Sequence, residues 1–177
     1  MLLNDYLKTL NTDILDLNIA KLYKKASKDL IIRRLINQLN FFDNLNLDSA
    51  KMADVGSGLG IHANFFYLKK AQIKLFEPDK ELYSACKLLF PHLNVSNNEF
   101  NADGIFDIIT LFGVYQFVPK EYVDNIFQHT KILIIDSGTI IDLDYKRKFI
   151  QVYYDPITDY YSGRKRHFSV FINDKNF

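Results

Sequence analysis

A chain of 177 residues, 48% of them hydrophobic, carries enough apolar material for one globular domain with a sizeable core. Its net charge of +1 excludes a broad electrostatic attraction to nucleic acid or anionic membrane and leaves any such contact to a local patch. The single cysteine, Cys86, excludes an intramolecular disulfide and reads as a buried thiol rather than a nucleophile.

The first residues, Met1-Leu2-Leu3-Asn4-Asp5-Tyr6, lack the basic start and apolar run of a signal peptide, and no run reaches the roughly 20 apolar residues of a membrane span. The expectation is a cytoplasmic protein without a membrane partner. Leu7, Leu10, Ile14, Leu17, Ala20 and Leu22 recur at helical spacing over 5–25. Leu30, Ile31, Leu35, Ile36 and Leu39 do the same over 28–42, with Ser27 as a cap. Two helices therefore precede the first strand.

Lys51-Met-Ala-Asp-Val then leads into Gly56-Ser-Gly58-Leu-Gly60, and 63–70 continues as a helix. This is a strand, a tight turn and a helix. Glycine admits positive φ and close approach of a ligand, and the first N–H groups of the helix attract negative charge. A second apolar run, 71–76, ends in Glu77, seventeen residues after Gly60. A carboxylate at such a strand tip accepts two hydrogen bonds from a ribose diol. A dinucleotide fingerprint would want a third glycine at Ile61, which disfavours a nicotinamide-dependent oxidoreductase. Residues 79–89 read as a helix, 94–96 as a short strand, 106–111 as a strand buried on both faces, and 120–130 as a helix. The tail from Phe149 to Ile172 holds two β-rich runs around Pro156 and Gly163, an antiparallel hairpin.

With Asp54 two residues before the first glycine, the motif acid-x-Gly-x-Gly-x-Gly together with Glu77 resembles the class I S-adenosylmethionine-dependent methyltransferases. The likeness is clear over 50–145. It implies a three-layer Rossmann-like α/β fold: a mostly parallel seven-stranded sheet of order 3-2-1-4-5-7-6 with a C-terminal antiparallel hairpin. The organisation expected is one domain over 1–177, divided into N-terminal helices (1–45), a cofactor-binding core (50–145) and the hairpin (146–177). The cofactor implied is S-adenosylmethionine, with Asp54, Gly56, Gly58, Gly60, Glu77, Asn98 and Phe112 as its candidate contacts. Tyr23, Lys24 and Lys25 would reach its carboxylate, although a solvated basic helix end explains them too. The fifth strand divides the two kinds of argument. Propensity favours 132–135, whereas the resemblance matches Gly138 to the glycine turn before that strand. The reading adopted follows the resemblance, with Thr139 to Asp144 as the strand and 131–135 as the end of the preceding helix.

After the fourth strand many relatives place a histidine, and this chain has Tyr115 and Gln116. No Asn-Pro-Pro-Tyr or Asp-Pro-Pro-Tyr follows, Cys86 stands on the wrong helix for attack on a pyrimidine, and no Asp closes the strand as 2′-O-methylation requires. His62, His92, His129 and His167 show no metal-ligand spacing, so no metal is expected. What remains is methyl transfer to an O or N atom of a small molecule or sugar, carried chiefly by placing the nucleophile in line. Tyr115 and His167 are the candidate catalytic residues, and a tyrosine of ordinary pKa about 10 is a poor base without help. Arg164, Lys165 and Arg166 beside Tyr153, Tyr154, Tyr160 and Tyr161 leave open an RNA or protein acceptor, or a solvated edge strand. A non-catalytic methyltransferase-like binding module is the other alternative. Oligomeric state stays open, with the hairpin edge able to pair with a second copy.

Overall fold

The computed structural model of the chain describes residues 2–10, 14, 16, 28–101, 103–137, 149–152 and 167–177. Ser27, Tyr23, Lys24, Lys25, the 139–144 segment and the tip of the hairpin lie outside these. Helix α1 (Leu3–Thr9) and helix α2 (Lys28–Asp43) precede the sheet. Helix α2 buries Ile31, Leu35, Leu39 and Phe42, one stripe at helical spacing. Tyr6 on α1 donates its hydroxyl to the Ile61 carbonyl, and Leu3 N donates to Asp43 Oδ1 at 2.7 Å, so α1 is tied down at its start and its middle.

The chain then winds β1 (Lys51–Val55), α3 (Ile61–Leu68), β2 (Gln72–Phe76), α4 (Lys80–Leu89) and β3 (Asn94–Ser96) towards one edge. It returns to the middle for β4 (Phe106–Phe112), α5 (Lys120–Gln128) and β5 (Thr130–Ser137), and ends with β6 (Phe149–Val152) and β7 (His167–Ile172). The sheet has seven strands in the order β3-β2-β1-β4-β5-β7-β6, as the resemblance implies. Strands β1 to β5 pair in parallel, while β7 runs antiparallel to both β5 and β6.

Alternation along the strands divides the core in two, because successive side chains leave opposite faces of a sheet. Met52, Leu75, Ile108, Ile134, Phe168 and Val170 face α1, α2, α3 and α4. Ala53, Phe76, Ile109, Leu133, Ile135 and Phe171 face α5 and its neighbours. With both faces covered, the central strands need no polar alternation, which is why β4 reads as nearly unbroken apolar sequence. Asp79 caps α4 by accepting from Glu81 N and Leu82 N, each at 2.9 Å.

The fifth strand corrects the sequence reading. Thr130–Ser137 is β5, paired with β4 from Phe106↔Thr130 to Phe112↔Asp136, and α5 stops at Gln128. The isoleucine-rich run Ile132-Leu133-Ile134-Ile135 thus follows its own propensity, and the glycine landmark carried over from the resemblance misplaced it. Helix α3 also begins at Ile61, ahead of the expected Ala63, because Gly60 already turns the chain and its carbonyl accepts from Asn64 N at 2.9 Å.

Candidate functional site

Between β1 and β4 the chain's winding reverses, and in such sheets ligands bind outside the carboxyl ends of the strands at that switch point. The loop from β1 to α3 lies there. Gly56 and Gly60 have φ of 69° and 77°, and a Cβ on them would stand 2.3 Å from Val114 Cγ2 and 2.6 Å from Cys86 Sγ. Both positions therefore exclude a side chain on conformational and steric grounds. Cys86 fills the space beneath the loop, and burial pushes its thiol up to about 12, with Asp54 and Glu77 adding to the rise.

Glu77 sits at the end of β2 beside this loop. Its Oε2 accepts from Gly58 N at 2.7 Å and its Oε1 from Asp79 N at 3.0 Å. Asn97 braces the segment through its amide, which donates to the carbonyls of Glu77 at 2.9 Å and Pro78 at 3.1 Å. An ionised carboxylate offers about four acceptor sites, so these two amides leave capacity on each oxygen. Burial raises the Glu77 pKa above the usual range, against the pull of the Asp79 and Gly58 amides. Asp54 lies deeper. Its Oδ1 accepts from Thr110 Oγ1 at 2.8 Å, while its Oδ2, like Ser57 Oγ, is buried without a partner among the described residues. Burial pushes its pKa up to about 7, Thr110 opposing and Glu77 adding to the rise. Two orphaned buried oxygens and a carboxylate with spare acceptor capacity, all around one glycine loop, suit a nucleoside bearing hydroxyl donors and positive charge. The residues present fit S-adenosylmethionine, a nucleoside of that kind.

A second polar group lies on the other side of the switch point. Asp136, near the end of β5, is fully buried and stands 3.7 Å from the Arg34 guanidinium. It also receives the amide of Gln38, one helical turn beyond Arg34 on α2. Gln38 Oε1 is 2.7 Å from Nε2 of His62, the second residue of α3. Phe112, closing β4, packs its ring 4.8 Å from that imidazole and 6.2 and 6.4 Å from the rings of Phe42 and Phe168. Burial lowers the His62 pKa to about 3, Arg34 lowers it further, and Asp136 opposes both.

The sequence-predicted residues are distributed unevenly around these two groups. Asp54, Gly56, Gly58, Gly60 and Glu77 come together. Phe112 joins the second group instead, and Asn98 is exposed, its amide 3.2 Å from Ser96 Oγ. Tyr115 stands in a short turn after β4, half-buried against the α5 side of the core. His167 opens β7 with its backbone opposite Ser137, at the same end of the sheet. Among the described residues no cluster of three or more His, Cys, Asp or Glu could hold a metal ion. Arg34, Gln38, His62 and Asp136 were missed by sequence reasoning. Their only local signal is the i, i+4 spacing of Arg34 and Gln38 and the histidine directly after the glycine loop.

Strand order, glycine loop and acid-tipped β2 together define the class I, Rossmann-like fold of S-adenosylmethionine-dependent methyltransferases. Neither a protein-family model nor a curated protein matches the sequence. Among solved structures, magnesium protoporphyrin IX methyltransferase from Synechocystis with bound S-adenosylmethionine is similar at TM-score 0.59 and 8% identity, over 96% of this chain and 90% of that one. A methyltransferase from Pyrococcus furiosus is similar at TM-score 0.56 and 15% identity, over 77% and 81%. A candidate RNA methyltransferase from Pyrococcus horikoshii is similar at TM-score 0.52 and 14% identity, over 84% and 86%. At these identities the likeness is one of fold. Among the described residues no helix is long and apolar enough to cross a membrane.

Proposed function

We propose that the chain is an S-adenosylmethionine-dependent methyltransferase that delivers the methyl group to an O or N atom of a small molecule or sugar. The observation that carries this reading is the Glu77 carboxylate, fixed by the amides of Gly58 and Asp79 at the end of β2, with acceptor capacity left on both oxygens. When bound, the cofactor supplies an electrophilic methyl on a positively charged sulfur. The protein's part is to bind and orient. Gly56 and Gly60 let the loop pass close beneath a ligand, Asp54 and Glu77 provide negative potential, and the ends of β4 and β5 form the opposite wall, where an acceptor would stand.

Calorimetric titration with S-adenosylmethionine, S-adenosylhomocysteine and NAD tests the reading. Micromolar binding of the first two, weakened at least tenfold in Glu77→Ala, is the expected result. Removing a hydrogen-bond acceptor from a charged group is worth about 1.5–3 kcal/mol. Binding of NAD instead, or binding unaffected by Glu77→Ala, would overturn it.

A further inference from the structure

The chain Arg34–Asp136–Gln38–His62 sets the tautomer of a histidine at the switch point. Asp136, facing the Arg34 guanidinium, has as a carboxylate no hydrogen to give, so the Gln38 NH2 must be the group directed at it. The Gln38 oxygen is then the group 2.7 Å from His62 Nε2, and that nitrogen must carry the ring hydrogen. A neutral imidazole has only one. Nδ1 therefore presents a bare lone pair, and it has no hydrogen-bond partner among the described residues. His62 as a residue is half-buried, and its ring rests on Phe112 at the tip of β4.

We propose that His62 Nδ1 accepts a hydrogen bond from the N–H of a neutral amine and thereby orients that amine as the methyl acceptor, with Gln38 and Asp136 as positioning residues. This rests on the methyltransferase reading and narrows its substrate class to nitrogen. The acceptor nitrogen forms the C–N bond with its lone pair as the C–S bond of the sulfonium breaks. The released electron pair stays on sulfur, and the ammonium product gives its extra proton to solvent. No base is required. An alcohol would need one, because its oxygen becomes strongly acidic as it attacks, and an imidazole desolvated beside Arg34 has too little proton affinity to serve. A carboxylate acceptor has no hydrogen to donate and would face the Nδ1 lone pair with its own.

The test has two arms on the full-length protein. Nitrogen NMR of the labelled imidazole reads the tautomer without any cofactor. His62 should carry its hydrogen on Nε2 at pH 7 and stay neutral below pH 5, and Gln38→Leu should disturb this. A hydrogen on Nδ1, or titration near the ordinary value of about 6.5, would overturn the proposal. In the second arm, methyl-13C S-adenosylmethionine is offered with amines, each paired with the alcohol of the same skeleton. Signals of N-methyl products alone, falling about tenfold to a hundredfold in His62→Phe with cofactor affinity held within threefold, are the expected outcome. O-methyl products, amine turnover indifferent to His62→Phe, or bound cofactor with no amine methylated would each overturn it. Failure to bind the cofactor at all would instead strike the methyltransferase reading, and appears separately in the calorimeter.

Discussion

The two polar groups on either side of the β1/β4 crevice are built on opposite principles. Around the glycine loop the protein gathers acceptors without enough donors. Among the described residues Asp54 Oδ2 and Ser57 Oγ have no partners, and two carboxyls lie close enough for Glu77 to raise the pKa of Asp54. Near the end of β5 the groups follow one another in sequence: the guanidinium faces the carboxylate, the carboxylate accepts from the amide, and the amide oxygen accepts from the imidazole. A buried polar atom without a partner is expensive, so the first group is held together at a cost. The second is paired through to His62 Nε2 and holds one ring in one state, with the imidazole Nδ1 left open among the described residues.

The side whose groups lean on one another should therefore break hardest. Asp136→Leu strands the Arg34 guanidinium, whose side chain is only 17% exposed, and leaves the buried Gln38 amide without its acceptor. Removing one partner of a buried ion pair is expected to cost about 3–5 kcal/mol, read as a fall in the urea midpoint at pH 7. A loss under 1 kcal/mol would mean that Arg34 finds equal company elsewhere, and the contrast between the two sides would collapse.

On the donor-poor side, pH is the probe. Asp54 titrates near its ordinary value of 3.8 when unfolded and at about 7 when folded, so between these values the folded state holds the extra proton. Stability attributable to this group therefore falls as pH rises from about 4 to about 7 and is level above. His62 contributes the reverse slope over part of the window, because a folded pKa lowered from 6.5 to about 3 removes stability as pH falls. Asp54→Asn should cancel the first slope and leave the second, so the difference between wild type and variant grows with pH to a few kcal/mol at pH 8. Urea midpoints at half-unit steps between pH 4 and pH 8 measure it. A pH-independent difference would show that Asp54 is ionised throughout.

The same contrast explains what could be read from the amino acids alone. The glycine loop and Glu77 are legible because backbone conformation and strand length dictate them locally: three glycines at positive φ, and an acid where an apolar run stops. Strand β3 was legible for the same reason. The second group is assembled from long-range contacts, Gln38 reaching Asp136 across 98 residues and His62 across 24. On α2, Arg34 and Gln38 look like any solvated helix face, and nothing local says that Asp136 points inward. The error at β5 is instructive in another way. A landmark borrowed from relatives overrode an isoleucine-rich run whose intrinsic preference was correct, and the placement of Asp136 at a strand end was lost with it.

The smallest expected effect sharpens the comparison most finely, because it concerns the one side chain seen to donate to Asp54. Thr110 Oγ1 lies 2.8 Å from Asp54 Oδ1 and 3.3 Å from the Ala53 carbonyl. Thr110→Val keeps the shape and removes the hydroxyl. While Asp54 is protonated, near pH 5, the loss is that of one neutral hydrogen bond, about 1 kcal/mol; once it ionises, near pH 8, the loss rises to about 2 kcal/mol. Losing a bond that favours the charged form also moves the Asp54 titration higher, so the falling limb of the stability profile should extend to higher pH. If the hydroxyl instead spends its hydrogen on Ala53, the variant would show the same small loss at both pH values. Asp54 would then lack even that donor, and the deficit around the glycine loop would be complete.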